Sequence, residues 1–248
     1  MPHVHESIRD FWDRDSATYD RSASHAVSDP LEATTWRAAL RRALPEPPVA
    51  VLDAGAGTGS LSLLAAELGY RVTALDLSEG MLSKAREKAS ARALDLAFEV
   101  GSAMSPPEGP FDAVMERHVL WTMPDPVGAL REWRRVTAPG GRLVLFEGLW
   151  GSRAPADRAK HAMAGVVRRL MGRADHHHAP YPDDVLEALP LARMPSPVPL
   201  VEAVYEAGWH GVRIQRLRDV EWAASLHEPW PLGWLEHLPR YVLVADRS

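Results

Sequence analysis

The sequence predicts an α/β fold, a doubly wound parallel sheet with a helical cap insertion. Three observations carry that prediction. Short apolar runs alternate with helical stretches from residue 49 to residue 147. A glycine loop, Gly55-Ala56-Gly57-Thr58-Gly59, follows the first of those runs. An acid, Asp76, closes the second. Strands alternating with helices at such short spacing pair in parallel and carry helices on both faces.

Residues 6–20 mix charge with Phe11, Trp12 and Tyr19, which suits a short amphipathic helix and a loop. A second helix is expected over 29–44. Asp29-Pro30 is its start signal, and Pro45, Pro47 and Pro48 stop it. Val49–Asp53 is the first strand. The glycine loop leads into a helix over 60–68 that Gly69 closes. Arg71–Asp76 is the second strand. Ser78 starts the next helix, with Met81, Leu82 and Ala85 facing inward. Ala97–Val100 and Phe111–Met115 are strands three and four. A helix over 127–136 and a strand over 142–147 follow.

The pattern breaks over 149–198, which is rich in Arg, His and Pro and has no strand signal. Within it Met163, Val166, Val167, Leu170 and Met171 fall on one face of a helix. A helix over 198–207, a strand over 212–217 and a last strand over 240–245 resume the pattern. The chain is therefore expected to form one domain over 1–248, with N-terminal helices over 1–45 and a cap insertion over 149–198.

The chain has 248 residues and no cysteine, which excludes disulfides, thiolate zinc sites and a cysteine nucleophile. Its 28 basic residues against 33 acidic ones give a net charge of −5, which disfavours general nucleic-acid binding. No apolar window approaches the ~18 residues of a membrane span, and the N-terminus lacks a signal-peptide pattern. A cytoplasmic protein with a small-molecule substrate is expected, with neither nucleic acid nor membrane as partner; a homodimer stays open. Tryptophan makes up nine of the 18 aromatic residues.

Glycines between a strand and a helix let the backbone turn sharply and approach a ligand closely. The helix start behind them suits an anionic group. Asp76, 21 residues after Gly55, can accept both hydroxyls of a ribose. The glycine spacing departs from the dinucleotide fingerprint. Asp53, just before the loop, suits a ligand amino group and would repel a pyrophosphate. The pattern points to an amino-acid nucleoside.

Val51–Gly59, Ala74–Leu82 and Arg135–Leu143 together resemble the class I S-adenosylmethionine-dependent methyltransferases, within them the small-molecule group called methyltransferase type 11. The resemblance covers about residues 49–150, with a looser fit through Trp12 and Ala17–Asp20. It implies a Rossmann-like seven-stranded sheet of order 3-2-1-4-5-7-6 with strand seven antiparallel. It implies S-adenosyl-L-methionine as cofactor, held in the loop by Gly55, Ala56 and Gly57, with Asp76 on the ribose and Leu77 and Met81 flanking the adenine. Arg117 would approach the methionine end, and Tyr19 would stand near the site and close over the cofactor. In the stretch Ser102-Ala103-Met104, Ser102 stands where many relatives place an acid for the adenine amino group, so its hydroxyl or the Ala103 backbone could serve instead.

His118 follows strand four, where ligands meet such sheets. It could take a proton from the acceptor, or bond the cofactor without catalysis. Glu116 beside it is costly unless paired or solvated. Methyl transfer onto a small molecule in specialised metabolism is the expected activity. The rivals are a cyclase or pericyclase on the same fold and a macromolecule methyltransferase. Six basic residues between Arg153 and Arg173 face one acid, Asp157, and are expected to be the solvated face of a helix packed on the sheet; the other possibility is an electropositive lid. Asp175-His176-His177-His178 is expected to be a polar loop, not a metal site. Trp12, Trp121 and Trp150 are expected to border the pocket. Trp36 and Trp133 fall on helices, and Trp209, Trp222, Trp230 and Trp234 are expected to be C-terminal packing residues.

Overall fold

The structure, a computed structural model, describes residues 2–21, 27, 29–148, 155–172, 183–192, 194–235 and 238–248. Its centre is a seven-stranded sheet: β1 (Ala50–Ala54), β2 (Arg71–Asp76), β3 (Ala97–Val100), β4 (Phe111–Arg117), β5 (Thr137–Gly148), β6 (His210–Arg216) and β7 (Arg240–Asp246). The order is β3-β2-β1-β4-β5-β7-β6. The first five strands run parallel, and β7 runs antiparallel to both β5 and β6. This is the order that the resemblance implies.

Successive side chains of a strand point to opposite faces, so a sheet covered on both faces is apolar at every position. Leu52, Val114, Leu143 and Leu145 point to one face. There they meet α5 (Pro126–Val136) and α8 (Val198–Glu206) through Leu130, Trp133, Leu200 and Val204. Val51, Met115, Val144 and Phe146 point to the other. There they meet α2 (Pro30–Ala43) and α3 (Ser60–Glu67) through Trp36, Leu40, Leu61 and Leu64. Asp29 caps α2, accepting from the backbone N–H groups of Leu31 and Glu32, and Ser78 caps α4 (Glu79–Ala91) by accepting from Met81.

Two strands run beyond their expected ends. β4 continues through Glu116 and Arg117 because both pair with β5, at Leu145 and Phe146. β5 starts at Thr137 because Gly140 and Gly141 exchange backbone hydrogen bonds with Arg247 beyond β7. Between β5 and α8 the described residues form α6 (Pro155–Leu170) and the short α7 (Asp183–Glu187). Two further helices, α9 (Arg218–Ser225) and α10 (Leu232–Leu235), join β6 to β7 and carry no clear sequence signal.

Two expectations need correction. α6 is a helix, but it packs on α10 through Ala164 and Val167 against Leu232 and Leu235. Its Met163, Val166, Leu170 and Met171 are exposed. Of the C-terminal tryptophans only Trp209 is buried, while Trp222, Trp230 and Trp234 are exposed. Both departures arise because α10 is small: it offers α6 two leucines and leaves the rest of the apolar surface uncovered. Trp150, Arg153 and Asp175–His178 lie outside the described residues.

Three tryptophans anchor the helices. Trp36, Trp133 and Trp209 are fully buried, and each indole N–H has a partner. Trp133 donates to the Ala103 carbonyl at 2.6 Å, tying α5 to the loop after β3. Trp133→Phe should therefore lower unfolding free energy by about 1–3 kcal/mol, since it strands that carbonyl in the core. Urea denaturation checks this; an unchanged midpoint would remove the indole bond as a stabilising element.

Candidate active site

The carboxyl ends of β1, β2 and β4 border an open cleft of about 730 Å³. The glycine loop forms its floor. Gly55 and Ala56 donate backbone hydrogen bonds to the Leu75 carbonyl at 2.7 and 2.9 Å, which folds the loop back over β2. Gly55 has φ +82°, and a Cβ there would stand 2.5 Å from a Val119 methyl. Only glycine lets the loops after β1 and β4 approach so closely. Gly57 has φ +56°, and nothing lies within 4 Å of where its Cβ would be. At that point the cleft is bounded by bare backbone.

Asp76 joins this loop to the next. One carboxyl oxygen accepts from the Gly57 N–H at 2.7 Å, and the other accepts from the Ser78 N–H at 2.9 Å. The carboxyl also lines the cleft. Burial pushes its pKa up to about 6 despite those two bonds.

The N-terminal segment closes one side. Asp13 of α1 (Pro2–Asp15) accepts from the Ser78 hydroxyl and from the Gly80 N–H. Asp20 accepts from the Thr58 hydroxyl at 2.7 Å and pairs with Lys88 at 2.7 Å. These bonds bring Ile8, Trp12 and Tyr19 to the cleft. Trp12 and Tyr19 pack edge to face, with ring centres 5.8 Å apart. Burial raises the Tyr19 hydroxyl above its ordinary range, so it stays protonated.

Ten of the thirteen residues expected at the site line the cleft. They are Tyr19, Gly55 and Gly57 at the loop, and Asp76, Leu77 and Met81 after β2. Ser102 and Ala103 follow β3, and Arg117 and His118 stand at the end of β4. Asp53, Ala56 and Met104 do not line it. Asp53 is 2% exposed beneath the loop, where the Ser62 hydroxyl donates to it at 2.5 Å. Ala56 turns its N–H onto β2, and Met104 packs against the core. The carbonyl of Ala103 already accepts from Trp133, and the Ser102 hydroxyl accepts from the Met104 N–H at 3.2 Å.

Ile8, Val119, Thr122 and Met123 line the cleft without having been expected there. Val119 and Met123 had a signal in their place after β4; Ile8 had none beyond its neighbour Trp12. Trp121 packs with Phe11 and Leu77 in a cluster beside the cleft and does not line it.

The end of β4 concentrates charge. His118 has φ +60°, a left-handed conformation that costs a non-glycine residue about 1–2 kcal/mol and is frequent at functional positions. Its Nδ1 lies 3.5 Å from a carboxyl oxygen of Glu147, near the end of β5. Glu147 is buried, and so is Glu116. One Glu116 oxygen accepts from the Val119 N–H at 2.6 Å and from the Leu120 N–H at 3.3 Å. Burial still pushes Glu116 up to about 8. Burial first, and the charge of Glu116 second, hold Glu147 well above the carboxylate range. The Arg117 guanidinium lies 5.5 Å from the Trp36 ring, and its charge lowers the pKa of Glu116. Among the described residues no group of His, Asp and Glu could hold a metal ion.

With this geometry in view, the comparisons with known proteins are specific. Residues 52–145 match the family described as methyltransferase domain. A demethylmenaquinone methyltransferase of Beutenbergia cavernae is 34% identical over 185 residues, covering 73% of this chain and 75% of its own. The chain belongs to the class I S-adenosylmethionine-dependent methyltransferases. A ubiquinone biosynthesis O-methyltransferase of Xanthomonas campestris is 30% identical over 224 residues, covering 89% of this chain and 80% of its own. In fold, the methyltransferase resembles the magnesium protoporphyrin IX methyltransferase of Synechocystis PCC 6803, solved with S-adenosylhomocysteine. The TM-score is 0.61, at 18% identity over 97% of this chain and 98% of that one.

The buried acids set a sign for the stability of the cofactor-free enzyme. Asp53 ionises at about 6 in the folded chain against an ordinary 3.8, chiefly through burial. Between those values the folded state holds a proton that the unfolded state has lost. Stability is then highest below the lower value and falls as pH rises through about 6. The stability of Asp53→Asn relative to the parent should therefore improve as pH rises from about 4 to 6, in melting curves across that window. A relative stability of Asp53→Asn that falls over that window would contradict the raised pKa.

Proposed function

We propose that this enzyme methylates a small, largely apolar acceptor at an O–H or an acidic C–H, with His118 as base and Glu147 holding its ring. The observation that carries this is His118 on the cleft wall with its other ring edge against a buried carboxyl. Names of two relatives, acting on a quinone and in quinone biosynthesis, support an acceptor of that class. The apolar side chains of Ile8, Trp12, Val119 and Met123 suit it as well. We read 1–248 as one domain, in which the helices of 1–45 and the 149–198 insertion cap the acceptor.

The cleft fits S-adenosylmethionine in its chemistry. Asp76 keeps lone pairs on both carboxyl oxygens beyond its two backbone bonds, enough for two vicinal hydroxyls. Bare backbone at Gly57 admits the amino-acid end, and Leu77 and Met81 offer apolar walls to the adenine. Asp53 acts from beneath the loop: its charge favours a cationic ligand without touching it. When bound, the cofactor supplies a methyl group on a positively charged sulfur, already activated for transfer.

What remains for the chain is placement, desolvation and one proton. An ionised Glu147 fixes the proton of His118 on Nδ1. Nε2 is then free to accept the acceptor's proton, and the imidazolium that forms is stabilised by the carboxylate. Because Glu147 is held above the ordinary carboxylate range, this arrangement is populated more fully as pH rises.

Two outcomes follow. Asp76→Ala should weaken S-adenosylhomocysteine binding at least about tenfold in calorimetry. Equal affinity in a variant that melts like the parent would remove the ribose contact. His118→Asn keeps a residue that tolerates the left-handed backbone but removes the base. With S-adenosylmethionine and a quinol acceptor, it should lower kcat about 10²-fold or more with cofactor affinity unchanged. Mass spectrometry of the parent's product tests the reaction itself. A gain of one methyl is expected; an isomer of unchanged mass would identify a cyclase instead.

A further inference from the structure

The exposed apolar surface at α6 and α10 has no role in the cleft. Leu170 is 82% exposed and Trp230 86%. Met163, Val166 and Met171 on the α6 side and Trp234 on α10 are exposed with them. Large apolar side chains left in water in one neighbourhood mark an interaction surface. The two helices are in contact, and α9, which touches α10, adds exposed Trp222 and, just past its end, Leu226.

Charge narrows the partner. The described basic side chains of α6 are Lys160, Arg168 and Arg169, in a chain of net charge −5. Lys160 lies 5.1 Å from the Trp234 ring centre, at the edge of the apolar patch, and Arg169 is exposed on the helix. Arg168 is turned inward and pairs with Glu228 at 3.6 Å. On α9, Asp219 is spent on Arg42 and Glu221 on Arg216. A helix with Met, Val and Leu on one flank and Lys and Arg beside it, bordered by tryptophans, has the make-up of an interfacial helix. No helix of the described residues is long and apolar enough to span a bilayer.

A second copy of the chain is the obvious competitor. A two-fold interface buries the same patch of both copies in one seam, so the positive charges of Lys160 and Arg169 are doubled there. An anionic surface complements them instead. We infer that α6 and α10 form a docking face for an anionic lipid bilayer, reversing the expectation that membranes are not partners. The inference does not depend on which acceptor is methylated.

Sedimentation with vesicles tests it on the full chain. The enzyme should bind phosphatidylglycerol vesicles at low salt, with a blue shift of tryptophan emission, and bind phosphatidylcholine vesicles at least about tenfold more weakly. The double variant Leu170→Glu, Trp230→Glu should lose at least about tenfold in vesicle affinity while its melting temperature and S-adenosylhomocysteine affinity stay at parental values. Val100→Glu, an exposed apolar position on β3, should leave vesicle binding intact. Absence of binding to phosphatidylglycerol, or equal losses from both variants, would overturn the docking face. So would a dimer in size-exclusion chromatography that the double variant alone dissociates, which would assign the patch to a second copy.

Discussion

The carboxyl group of Asp76 is the constraint on which the site depends. It sits where two strand-to-helix turns come together, and each of its oxygens holds a backbone N–H from one of them. Gly57 belongs to the loop after β1 and Ser78 to the turn after β2. One side chain thus fixes the distance between the two loops that frame the cleft. Ser78 extends the chain of contacts by capping α4 and by donating to Asp13 of α1. The N-terminal helix, with Ile8 and Trp12, is placed through the same junction. Cleft wall and scaffold therefore meet in one side chain.

Four acids, Asp53, Asp76, Glu116 and Glu147, gather at the carboxyl ends of β1, β2, β4 and β5 with little water around them. The protein meets the cost only in part. Ser62 donates to Asp53, backbone N–H groups serve Asp76 and Glu116, and Arg117 lowers the pKa of Asp53 and Glu116. One oxygen of Glu116 and one of Glu147 remain without a hydrogen bond. Buried acids in that condition favour a positively charged ligand, because its arrival lets them ionise. The free enzyme is destabilised where a cationic cofactor would stabilise it.

Much of this was legible in the sequence. Apolar runs with inward alternation gave the strands, and Gly55, Gly57 and Asp76 marked the cleft because their backbone and charge requirements are local. What was not legible depends on long-range pairing. The extension of β4 through Glu116 and Arg117 follows from register against β5, and a charged pair reads as a strand end. Glu147 looked like the last residue of a strand; only the fold sets it against His118. Ile8 reaches the cleft because Asp13 and Asp20 dock the N-terminus on distant turns. The apolar stripe of α6 was visible, but periodicity cannot say whether a stripe faces a core or the solvent.

The most direct measurement is a crystal structure with S-adenosylhomocysteine and an acceptor bound. The expected result places both ribose hydroxyls on the Asp76 carboxyl. The sulfur should face His118, with the acceptor's reacting atom between the sulfur and the imidazole Nε2. A ribose held elsewhere, or a sulfur turned away from His118, would contradict the link between the strand-end acids and methyl transfer.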